Sequence, residues 1–147
     1  MELDEVDEKI LKNLLVDARL SARQLALKLG MSTVTVLSRI KKLEKEKIIK
    51  GYSGRLDHEK LGYNLTAIIE IIGKKDKIME VEEQLATIEN VCGVYDVTGN
   101  TDVLIIAKFK GREDLSTFVK NLSTIPNVEN TITHVVLNTV KEDFRLT

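Results

Sequence analysis

A chain of 147 residues with 43% hydrophobic and 31% charged residues and a single proline has the composition of a folded protein, with little room for a disordered tail. No stretch approaches the roughly 18 to 20 consecutive apolar residues of a membrane helix, and the acidic start, Met1 to Glu8, lacks the basic and apolar regions of a secretory signal. No membrane partner and a cytoplasmic location are therefore expected. The 22 basic and 23 acidic residues nearly cancel, but Met1 to Lys50 holds eleven Lys and Arg against eight acids and the remainder is acidic, so a polyanion would be met by the first part of the chain.

From Leu3 to Leu15 the apolar residues Leu3, Val6, Ile10, Leu11, Leu14 and Leu15 recur at helical spacing, which predicts a first helix with one buried face. Ser21 and Gln24 have the spacing of a capping box for a second helix, with Leu25, Ala26 and Leu29 inward and Gly30 as its stop. Ser32 is placed to cap a third, running with Val36, Ile40, Leu43 and Ile48 inward to Gly51.

After Gly51 the pattern changes. Tyr52 to Leu56 reads as a short strand and Asp57 to Tyr63 as a turn or linker. Strands are expected at Leu65 to Ile72, Val91 to Val97, Val103 to Phe109 and Val128 to Val140, with helices at Asp76 to Ile88 and Arg112 to Ser123. The lone Cys92 lies in an apolar run and is expected to be a buried strand residue. The class is thus α+β: a three-helix, winged-helix-like helix-turn-helix domain at 1–50, a strand and linker at 51–63, and a ferredoxin-like βαββαβ sandwich at 64–147. Such a sandwich leaves one sheet face without helices. Because Ala67 to Ile72 and Val103 to Phe109 are apolar at nearly every position, that face is expected to meet its copy in a homodimer.

The second and third helices have the lengths and punctuation of a helix-turn-helix. At about 100° per residue, Val34, Leu37, Ser38, Lys41 and Lys45 point away from Val36, Ile40 and Leu43. Ser32 to Lys50 carries six basic residues and two acids, so the outer face combines positive charge, hydroxyls and methyl groups, as a helix in a DNA major groove can use. Residues at the start of such a helix approach base edges, which assigns Thr33, Val34, Thr35, Leu37 and Ser38 to base reading. Ser32, Arg39, Lys41, Lys42 and Lys45, with Ser21 and Arg23 at the start of the second helix, are assigned to phosphates.

These residues resemble the Lrp/AsnC, or feast/famine, family of transcription regulators. The resemblance runs through Leu3-Asp4, Asp7, Ile10-Leu11, Asp17-Ala18-Arg19, Leu29-Gly30-Met31-Ser32, Val36, Arg39, Ile40, Leu43 and Ile49-Lys50-Gly51-Tyr52. It continues in Leu61-Gly62-Tyr63, Thr98-Gly99 and Asp102. It implies dimers built on the C-terminal sheets, assembly into octamers or other higher oligomers, and control by an amino-acid effector. The implied effector residues are the turn Thr98, Gly99, Asn100, Thr101 and Asp102, with Thr131 and Thr133 on the last strand. Asn100 and Thr101 depart from the acidic and larger residues that many members carry there.

An enzyme is not expected. His58 and His134 are far apart, and no HExxH, CxxC or glycine-rich phosphate loop is present, so neither a catalytic residue, a metal nor a cofactor is assigned. Each histidine reads as a surface or hydrogen-bonded residue. The expected function is a sequence-specific regulator binding duplex DNA as a dimer or higher oligomer. The alternative is an oligomeric small-molecule-binding or protein-interaction module without specific DNA binding.

Overall fold

The computed structural model describes residues 1–146, and its contacts divide the chain into two compact units. One comprises Met1–Arg55 together with the segment that begins at Glu142; the other is Leu56–Lys141.

In the first unit three helices, α1 (Glu5–Val16), α2 (Ala22–Leu29) and α3 (Thr33–Lys45), enclose a core of Ile10, Leu25, Ala26, Val36, Ile40 and Leu43. Each helix starts at a polar cap. The Asp4 carboxylate accepts a hydrogen bond from the Asp7 amide, and the Asp7 carboxylate accepts one from the Asp4 amide. Ser21 and Gln24 do the same for α2, and Ser32 caps α3. These side chains satisfy amide groups that the first helical turn leaves without partners, a contribution of about 1 kcal/mol per cap. Gly30 closes α2 in the left-handed region at φ 65°, which suits the tight turn into α3.

Two expectations fail in this unit. The third helix ends at Lys45 and not near Gly51, because Lys47 turns left-handed at φ 59° while the Ile48 and Ile49 amides bond back to the Leu43 carbonyl. That closure leaves Ile48 exposed and only Ile49 packed on the core. The strand expected at Tyr52 to Leu56 does not form; these residues are exposed and irregular. The last described residues, assigned from sequence to the sheet domain, instead make contacts within the helical unit. Arg145 donates to the Leu15 carbonyl at 3.0 Å and pairs with Asp143, which also faces Arg55 at 3.9 Å. The Arg145 guanidinium and backbone amide hold the Asp143 carboxyl well below the usual range.

In the second unit four strands, β1 (Leu65–Gly73), β2 (Val91–Asp96), β3 (Val103–Phe109) and β4 (Val128–Val135), form one antiparallel sheet in the order β2-β3-β1-β4. Helices α4 (Ile78–Leu85), preceded by a 3-10 turn at Lys75–Lys77, and α5 (Arg112–Thr124) complete the βαββαβ order. Alternate residues of the central strands, Ala67, Ile69 and Ile71 with Val103, Ile105, Ala107 and Phe109, pack with Ile78, Val81, Leu85, Phe118 and Leu122. Both helices therefore lie on one sheet face. The other carries Ile68, Glu70, Leu104, Ile106, Ile132 and His134 by strand alternation and register.

The fourth strand is shorter than expected and ends at Val135. Cys92 is exposed and not buried. The pairing of β2 with β3 shifts between Val91 and Gly93, and a bulge there breaks the alternation on which its expected burial rested.

One carboxyl in this unit is raised well above the ordinary carboxylate range. Glu82 on α4 shares a hydrogen bond with Asp96 on β2 and is partly desolvated, which pushes it up to about 7. Its Oε1 is buried without a donor among the described residues, as fits a partner that is itself a carboxyl and bonds only when one of the two carries a proton. With a folded-state value above the unfolded one, the folded protein binds the extra proton between about 4.5 and 7, so stability falls as pH rises through that window. Glu82→Gln, which keeps a donor at every pH, is expected to match the wild type near pH 4.5. At pH 8 it should melt about 5 °C higher, roughly 1 kcal/mol after allowance for solvent screening. Parallel melting curves across this range would contradict the shared proton.

Candidate nucleic-acid interface

The α2–turn–α3 segment positions its outer residues by helix geometry alone. Val36, Ile40 and Leu43 are buried, which turns Val34, Leu37, Ser38, Lys41 and Lys45 outward in one stripe. Val34 is 78% exposed and Leu37 42% exposed. Thr33, Thr35 and Ser38 are also exposed, as are Lys41, Lys42 and Lys45. Thr35 is tied to the cap: its hydroxyl accepts from Ser32 Oγ at 2.8 Å while its amide donates to the same Oγ at 3.2 Å. Ser21 and Arg23, at the start of α2, are exposed, although the Ser21 hydroxyl is engaged with the Gln24 amide at 3.1 Å.

Arg39, expected at phosphate, is engaged within its own chain: its Nη1 donates to both oxygens of Asp4 at 2.7 and 2.6 Å and to Asp7 Oδ1 at 3.1 Å. This guanidinium and the Asp7 amide draw the Asp4 carboxyl down to about 2, and the two carboxylates raise Arg39 in turn. Asp7 itself is buried. Asp4 and Asp7 are functional candidates that the residue-by-residue reading did not single out. The available signal was their three-residue spacing at a helix start, which brings both side chains to one place.

In the second unit the turn after β2 divides into two parts. Thr98, Gly99 and Asn100 are exposed. Thr101 donates to Glu70 Oε1 at 2.6 Å, and His134 Nε2 lies 2.7 Å from Glu70 Oε2; these contacts hold the Glu70 carboxyl below its ordinary range. His134 is thus surface-exposed and hydrogen-bonded, as read from sequence.

The Asp102 carboxylate is turned inward. It is 9% exposed, accepts the Gly73 amide at 3.1 Å and pairs with Lys75 Nζ at 3.1 Å, and these two donors lower it. The turn closes inward because its last residue joins β3, where the Asp102 amide reaches the Ile71 carbonyl at 3.1 Å. Thr131 and Thr133 are half-buried and pair in register with Ile71 and Ile69. They stand on the helix-covered face, whereas Thr101 joins Glu70 on the uncovered one, so one chain does not gather all the expected effector residues into a single pocket.

Among the described residues no helix is long and apolar enough to cross a membrane, and no group of three or more His, Cys, Asp or Glu is arranged to hold a metal. The profile of the AsnC-type helix-turn-helix domain matches residues 3–44, and that of the Lrp/AsnC ligand binding domain matches residues 66–146. An uncharacterised HTH-type transcriptional regulator of Pyrococcus furiosus is 51% identical over 146 residues, covering 99% of each chain. The HTH-type transcriptional regulator FL11 of Pyrococcus horikoshii is 36% identical, covering 98% of this chain and 95% of its own. Among solved structures, E. coli AsnC superposes with a TM-score of 0.91 at 26% identity, covering 97% of both chains. A Neisseria meningitidis transcriptional regulator in complex with L-Met gives 0.91 at 28%, covering 99% of this chain and 97% of that one. The charged helix-turn-helix, the βαββαβ sheet domain and these matches lead to one conclusion: the chain belongs to the Lrp/AsnC family and is a DNA-binding transcription regulator.

Proposed function

We propose that α3 enters the major groove, with Thr33, Val34, Thr35, Leu37 and Ser38 toward base edges and Lys41, Lys42 and Lys45 toward phosphates. Ser21, Arg23 and Ser32 meet the backbone from the helix starts. The observation that carries this reading is the outward stripe in which exposed Val34 and Leu37 stand with Ser38, Lys41 and Lys45. A merely solvated face gives no reason for two large apolar residues there, while thymine methyl groups do. None of these side chains makes a bidentate base contact as Arg does to guanine, so discrimination rests on several weak contacts and on DNA shape.

Such a helix requires company. The homodimer through the uncovered sheet face, where Ile68 and Ile106 face each other in register, supplies a second helix for a second half-site, and higher assemblies extend the array. An amino acid modulates the regulator through the exposed Thr98–Asn100 turn, whose backbone amides suit a carboxylate. Its ammonium partner is supplied by a group other than Asp102, which Lys75 already occupies. The L-Met complex of the Neisseria meningitidis regulator makes methionine the first effector to try. The protein acts in the cytoplasm and catalyses nothing.

Selection of preferred sequences from random duplexes by the full chain, with and without a panel of amino acids led by methionine, tests the proposal. One enriched motif, with binding altered by at least one amino acid, is expected. Failure to bind any duplex better than about millimolar at low salt would sink the groove reading. An enriched motif indifferent to every amino acid would sink the effector reading alone.

A further inference from the structure

Among the described residues the ion pairs joining α1 to α3 all converge on Arg39 Nη1. Their acceptors are the two acids of the α1 capping box, so the start of α1 and the middle of α3 share one polar knot. The remaining α1–α3 packing is apolar, through Ile10 with Val36, Ile40 and Leu43, and apolar contacts are non-directional. They resist separation of the helices more than rotation of one about its axis. A guanidinium held by two carboxylates is directional.

Rotation matters for this helix. Turning α3 by about 20° would carry side-chain tips some 6 Å from its axis through about 2 Å, whereas a hydrogen bond to a base edge tolerates only a few tenths of an ångström. We propose that Asp4, Asp7 and Arg39 form a clamp that sets the rotation of α3, making Arg39 a positioning residue for base reading and not a phosphate ligand. Arg39 lies on the flank of the helix, four residues before buried Leu43, and its charge is spent on Asp4 and Asp7 before DNA arrives.

Two substitutions test the clamp in the full chain, measured on the selected duplex and on a random one across a salt series. Arg39→Lys keeps the charge but replaces Nη1, whose N–H directions are fixed by the guanidinium plane, with a freely rotating ammonium on a shorter stem. Asp4→Asn keeps a good N-cap for α1 while removing the more exposed acid. Both variants should show about a tenfold lower preference for the selected duplex, with the slope of log affinity against log salt unchanged.

A phosphate-binding Arg39 gives different results. Lysine would replace it with preference intact, and Asp4→Asn would free the arginine, tightening binding to both duplexes and steepening the salt slope. Either result overturns the proposal. Circular dichroism and melting of each variant establish that the helical unit is folded. A folded Arg39→Lys protein with wild-type preference overturns the clamp regardless of what Asp4→Asn does.

Discussion

An Ile106→Glu variant is expected to be monomeric by light scattering and to lose affinity for its selected duplex by about 10²-fold or more, while both units keep their helical and sheet signatures. Ile106 sits in the centre of the sheet, paired with Ile68 across β1 and β3 on the face that neither α4 nor α5 covers. In a monomer the new carboxylate is tolerated, because the helix-side core of Ile69, Ile105, Ala107 and Phe109 is untouched. Between two apposed sheets, as proposed for the dimer, it would be stripped of water, which costs several kcal/mol. Dimerisation makes the second half-site contact intramolecular, and effective concentration typically multiplies affinity by about 10²- to 10⁴-fold. A variant that stayed dimeric with wild-type binding would show that the copies meet elsewhere. A monomer that still bound its selected duplex tightly would show that one α3 suffices.

The uncovered face is not uniformly apolar, which bears on how the copies would fit. Glu70, bonded to Thr101 and near His134, lies among Ile68, Leu104, Ile106 and Ile132, and Lys108 donates to Thr66 at 3.1 Å along the same side. Each of these polar groups has a partner within its own chain, so dimerisation need not strand an unsatisfied charge. Such internally satisfied groups restrict the ways in which two otherwise apolar sheets can slide over one another.

Periodicity was sufficient for the elements. The i, i+3, i+4 spacing of Leu3 to Leu15 and the alternation through Ala67, Ile69 and Ile71 are direct imprints of which face is buried, and the structure places a helix and a strand there. Failures came where a local event overrode the pattern. Lys47 entered the left-handed region that glycine usually fills, ending α3 before Gly51. The bulge at Val91–Gly93 turned Cys92 outward. Residues 142–146 have no strong periodicity, and their place in the helical unit depends on Arg145 and Asp143, whose long-range partners no window of sequence reveals.

The site was legible to a similar depth. The outer stripe of α3 followed from spacing, because exposure is the complement of the buried face. Arg39 and Asp102 have partners within the chain that residue type alone does not reveal. A basic residue near a DNA-reading face and an acidic one in a turn both suggest ligands, yet both are consumed by partners at |i−j| of 27 to 35. Helix geometry also separates Arg39 from the lysines. Four residues before Leu43 it lies on the flank nearest the core, whereas Lys41 and Lys45 lie nearly opposite.

That distinction predicts the second large effect. Replacing Lys41, Lys42 and Lys45 together by alanine should weaken binding to selected and random duplexes alike by about 10²- to 10³-fold near 0.1 M salt, and flatten the slope of log affinity against log salt. Each lysine that neutralises a phosphate contributes about 0.9 to that slope, so a dimer losing six contacts should lose about 5. Stability should barely change, because all three side chains are exposed and alanine is the better helix former. The preference for the selected duplex over a random one should survive, since these contacts carry no sequence information. If preference collapsed while the slope stayed unchanged, the lysines would be reading bases and the phosphate assignment would fail. If neither changed, α3 would not be the element that meets DNA.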